Sequence, residues 1–171
     1  MGTQTRYPTS AVNDATVGTR PWLDTPGQFS LQKQVEADDG KHATTSSSLL
    51  DNEVTKLLKV GYTFEVPSEA TDVSVTFRVQ HYEVGSAKIR DAAARLVLGG
   101  TVQPEDHSLP GDWPSTAGWA EYAFGGLTPA QVNDSAFGFA LAAKKIGTSP
   151  DPDFPLTATP FVDVIEAVAT W

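Results

Sequence analysis

The side chains in this 171-residue chain that could do chemistry are three histidines, four tryptophans and 21 acidic groups. His42, His81 and His107 are far apart in sequence, and no pair stands at metal-ligand spacing. His81 shares a strand face with Val79 and Glu83 and reads as a hydrogen-bonded structural histidine. No serine sits in a nucleophile elbow, and no glycine-rich loop opens a helix as a phosphate cradle requires. Glycosidases need two carboxylates, and Asp38-Asp39, Asp51 with Glu53, Glu105-Asp106 and Asp151 with Asp153 are the close pairs. All four lie in loop-like sequence and read as solvated acids. Asp151 and Asp153 could begin a calcium cage, but the glycine and distal glutamate of such a loop are missing. The expectation is therefore a non-enzyme with no catalytic residue, no metal site and no cofactor.

Tryptophan offers another kind of chemistry, because a sugar ring can stack on an indole face. Trp113 stands beside Asp112 and Pro114 in the polar stretch 103–118, which has no internal periodicity. Loops of that length inside a compact domain are usually functional or mobile. Two readings stand for Asp112 and Trp113: a glycan platform, or a lid folded over the end of the domain. Trp22 and Trp119 read as core or core-edge anchors.

The elements that must position these groups are strands. Val60, Tyr62, Phe64 and Val66 alternate with polar residues, and after a proline-containing turn Val73, Val75, Phe77 and Val79 do the same. Period-two alternation marks a sheet with one face in a core and the other in water. Further strands are predicted at Phe29 to Lys33, His42 to Thr45, Ile89 to Val102, Trp119 to Phe124, Ser135 to Lys144 and the segment that ends at Trp171. The run 85–88 after Glu83 reads as a hairpin loop, and residues 49–58 as a loop that enters a strand near Lys56. Thr128 followed by Pro129 starts the one helix expected, over 128–133. The fold class expected is an all-β antiparallel sandwich or jelly roll of eight or nine strands.

Residues 1–21 lack either periodicity and read as an extended arm before a sandwich domain at 22–171. In that arm Arg6, Tyr7, Pro8 and Arg20 are the expected partner contacts, since arginine and tyrosine favour interface cores. Cysteine is absent, which removes disulfides and thiolate chemistry together. A formal charge of −9 argues against nucleic acid as a partner, because phosphate binding is driven by Lys and Arg. No apolar run approaches the roughly 20 residues of a membrane-spanning helix, and the first residues show no signal-peptide pattern.

With strands placed, the chain resembles a β-sandwich family that recurs in bacteriophage and prophage virion proteins. The likeness rests on Trp22, Asp39-Gly40, the segment from Tyr62 to Thr71, the strand Val73 to Tyr82, and Arg90 to Gly100. It continues through Trp113-Pro114, Tyr122 with Gly125-Gly126, Thr128-Pro129-Ala130, the Asn133, Ser135, Phe137, Gly138 strand and Val162-Asp163. It departs at Gly126-Leu127, where the pattern has Trp-Gly, and at the terminal Trp171. The resemblance implies a virion component, such as a head decoration, head fibre or tail accessory subunit. The expected partners are capsid or tail proteins and further copies of the chain, with a host-surface glycan as the alternative partner.

Overall fold

The computed structural model describes residues 1–23, 31–147 and 156–171. The strands are β1 (Thr3–Arg6), β2 (Ser10–Asp14), β3 (Trp22–Leu23), β4 (Ala43–Thr45), β5 (Leu57–Gly61), β6 (Val73–Gly85), β7 (Lys88–Leu98), β8 (Thr101–Val102), β9 (Gly118–Leu127), β10 (Gly138–Ile146) and β11 (Ala158–Thr170). Two short helices, α1 (Leu31–Val35) and α2 (Pro129–Val132), complete the described elements. One sheet runs β3-β4-β11-β6-β9, with β1 also paired to β11. The other runs β2-β5-β10-β7-β8. The strand pairs are antiparallel, and the two sheets pack face to face as an all-β sandwich.

Between the sheets lies an aromatic core. Phe77 on β6 stacks on Phe139 of β10 at 4.7 Å between ring centroids and meets Tyr62, Phe124 and Phe137 at 5.5, 5.7 and 6.1 Å. Phe64, Phe77 and Phe139 are all buried, so the period-two stripes do face inward. The two strongest stripes are not neighbours within one sheet, however. β5 and β6 belong to opposite sheets, and Tyr62 closes the gap by donating its hydroxyl to the Ile165 carbonyl at 3.0 Å. The hairpin expected at residues 85–88 is likewise a crossing, because β6 and β7 also lie in different sheets. A true two-residue hairpin joins β7 to β8, where Gly99 and Gly100 have φ of 53° and 77°, as a type I′ turn requires.

The helix at α2 has its expected start. Thr128 is the N-cap, its hydroxyl accepts from the Gln131 N–H, and the Gln131 side chain closes a capping box. The strand expected over Phe29 to Lys33 is corrected. Leu31 and Lys33 lie in helix α1, which buries Leu31, Gln34 and Val35 against β2 and β11; Phe29 lies outside the described residues. Burial decides here: Leu31, Gln34 and Val35 fall on one helical face at spacings of three and four.

The arm is also corrected as a separate part. β1 adds to one sheet and β2 to the other, so residues 3–14 are stitched into both layers. Gly2 and Trp171 exchange backbone hydrogen bonds of 2.7 and 3.1 Å, which ties the two ends together. No described helix is long and apolar enough to cross a membrane.

Candidate functional site

A dense polar cluster lies where residues 103–113 run along the edge of β7, with the N–H groups of Gln103, His107 and Trp113 held by the carbonyls of Leu96, Ala94 and Ile89. Its centre is Asp91 on β7, only 5% exposed. The carboxylate accepts three hydrogen bonds: from the Trp113 indole N–H at 2.8 Å, the Tyr122 hydroxyl at 2.9 Å and the Leu109 backbone N–H at 2.9 Å. A register shift where β7 meets β10 opposes Asp91, Ala92 and Ala93 to only Ala143 and Ala142. This bulge lets Ile89 and Asp91 face inward before it and Ala94 and Leu96 after it.

Trp113 itself is 3% exposed, and its ring lies flat against His81, with centroids 4.3 Å apart and planes 5° apart. Burial pulls the His81 imidazole below its ordinary value, while the nearby Asp91 charge pulls the other way. Its Nδ1 is buried without a hydrogen-bond partner. Burial first, and Asp91 second, pushes the Tyr122 hydroxyl far above its ordinary value, so it stays a donor. Beside them Glu83 binds the Lys88 ammonium at 2.8 Å through one oxygen and leaves the other buried and unpartnered. The Glu83 N–H holds the Pro114 carbonyl at 2.8 Å.

Chemically, this arrangement fastens a loop. A carboxylate already filled by three donors is poorly placed to take a substrate proton. A cleft of about 340 Å³ opens over the cluster, lined by His81, Asp91, Asp112, Trp113, Trp119 and Glu121 among others. Of the two residues expected as a glycan platform, Asp112 is at the surface, paired to Arg90 at 2.6 Å. Trp113 has the position of the lid and offers no free ring face, because its indole is held on Asp91 and covered by His81. The indole that does reach solvent is Trp119, 44% exposed, with the Arg78 guanidinium 4.8 Å from its ring centre. That corrects its expected role as an anchor. Trp22 is the anchor, fully enclosed and donating to the Lys56 carbonyl at 2.8 Å.

A second buried acid lies on the outer face of the other sheet. Asp163 is the residue inserted where β11 slips register against β6, between Val162 and Val164. It is 7% exposed, and one carboxylate oxygen has no hydrogen-bond partner. Burial, reinforced by the charges of Asp38 and Asp39, pushes its pKa up to about 6.

The expected arm contacts are occupied within the fold. Arg6 donates to the Thr63 carbonyl at 3.0 Å and reaches Glu65 at 3.6 Å, and the Tyr7 hydroxyl lies 3.4 Å from Glu166. Pro8 is buried, and Arg20 pairs with Glu53. These contacts fasten the first strands to the body, and Tyr7 stays 49% exposed. The carboxylate pair Asp151 and Asp153 lies outside the described residues. Read from the sequence, Asp91, Tyr122 and Asp163 have no place in a site, since the bulges that turn both aspartates out of simple alternation have no local signature. No protein-family model matches the chain, and no curated protein matches it either.

Proposed function

We propose that this chain is a structural subunit of a bacteriophage virion, a capsid decoration, head-fibre or tail accessory protein that works by assembly and without catalysis. The observation that carries the reading is a contrast in how the molecule treats its backbone. Both chain ends are tied into the sheets, yet β9, ten residues long, pairs on one side only among the described residues. An open strand edge is a ready template for another chain. The resemblance across residues 22–171 supplies the class of particle, and an acidic body of −9 suits dense display without precipitation. Docking on this reading runs through the sandwich surface, because the first residues are committed to the fold.

Purified particles of the parent phage test it. The expected result is that the chain co-sediments with intact virions at a fixed copy number and that antibody labelling places it on head or tail. A chain found only in the soluble fraction of infected cells overturns the proposal.

A further inference from the structure

We infer that the free edge of β9 pairs with the same edge of a second copy, antiparallel, around a two-fold axis at Tyr122. This deepens the assembly reading and rests on it. Four observations support the surface. β6 is the only described strand that pairs with β9, and none of the described backbone groups of residues 118–127 bonds elsewhere. Trp119, Glu121, Ala123 and Gly125 are all exposed along it. The strand contains neither Lys nor Pro, the residues natural sheets use to blunt an edge, and Glu121 is its one charge. A cleft of about 420 Å³ separates the stretch from Phe124 to Leu127 from residues 103–107, and one of about 340 Å³ separates Trp119 to Glu121 from residues 109–114, so open space runs beside both halves of the strand.

The sequence of β9 selects a second copy and a register. Continuing a sheet requires outward residues to oppose outward residues, so the dyad must pass through a residue position. A dyad at Glu121 sets two carboxylates directly opposite, which is destabilising. A dyad at Ala123 carries the pairing across the whole register slip between Phe124 and Leu127, whereas one at Tyr122 enters it only at Gly125. At Tyr122, every flanking pair matches large with small: Trp119 meets Gly125, Ala120 meets Phe124 and Glu121 meets Ala123. An indole over an edge glycine is a known way to pin a register. One interface repeated by symmetry then suffices, as in an isologous dimer.

Analytical ultracentrifugation of the full chain tests the pairing, with Ala123→Lys as the edge-blocking variant at an exposed site. The expected result is a concentration-dependent dimer that the variant weakens at least tenfold. The chain has no cysteine, so Glu121→Cys with Ala123→Cys in one molecule gives a clean second readout. In this register the two positions face each other within disulfide reach. Oxidation should trap a covalent dimer of the double variant, and the Glu121→Cys single variant should stay uncrosslinked. A parent that remains monomeric, a dimer untouched by Ala123→Lys, or a double variant that does not crosslink overturns the inference. Failure of virion association alone, with the dimer intact, overturns the functional proposal and leaves the pairing standing.

Discussion

Asp91 and Asp163 are both buried acids, each beside a strand bulge, each exposed by less than a tenth. Their surroundings could hardly differ more. Asp91 collects an indole N–H, a phenol O–H and a backbone N–H. Asp163 keeps a buried oxygen without a partner and faces the charges of Asp38 and Asp39. A buried carboxylate stabilises when donors replace its water and destabilises when they do not. The same residue type at the same depth therefore has opposite signs in the two sheets.

The largest effect expected is from Asp91→Ala. It removes the acceptor of three donors at once, two of them buried, and should cost about 4 kcal/mol. Denaturant unfolding should show a lowered midpoint at unchanged slope. Hydrogen exchange at residues 103–118 should rise, because the loop loses its fastening at Trp113 and Leu109. A loss below about 1 kcal/mol would mean that the cluster does not hold the loop.

Asp163→Asn should move stability the other way. The ordinary value is 3.8 and the folded value about 6, so the folded chain holds this proton more tightly than the unfolded chain does. The cost of the charge is absent below pH 3.8, grows as pH rises through the window, and is complete above about 6. The variant should gain on the order of 2 kcal/mol at neutral pH and nothing at pH 3.5. Paired melts across that range measure it. A gain that does not change with pH would show that the charge of Asp163 is not the cause.

Why one of these acids is good and the other bad was not readable from the chain. Alternation identified the core stripes, so Phe64, Phe77 and Phe139 and the capped turn at Thr128 were legible as local patterns. Unbroken alternation along the strand predicted at Ile89 to Val102 sets Ala94, Leu96 and Leu98 on one face and Asp91 on the other. The bulge at Ala92 reverses that parity, and it exists only because β7 must pair with β10, about 50 residues later. Asp163 was visible only as a polar residue within an apolar strand; that α1 and the chain after it cover its face is a tertiary fact. The same limit hid the sheet assignment of β5 and β6. Period two tells which face of a strand is wet and leaves open which sheet the strand joins. For the same reason the two readings of Trp113 stayed open until the closed loop decided for the lid, and the exposure of Trp119 was not legible.

The smallest effect lies inside the Asp91 cluster. Trp113→Phe keeps an aromatic ring against His81 and removes one donor from the carboxylate. The lost hydrogen bond to a charged group contributes about 1.5 kcal/mol, and the smaller ring adds a cavity cost of its own. A double-mutant cycle with Asp91→Ala separates the two, because the cavity cost is present in both backgrounds and the hydrogen bond in only one. Coupling of about 1 kcal/mol or more, measured from unfolding midpoints, is the expected outcome. Zero coupling would reduce Trp113 to packing volume, and the contrast with Asp163 would then rest on Tyr122 and the Leu109 N–H alone.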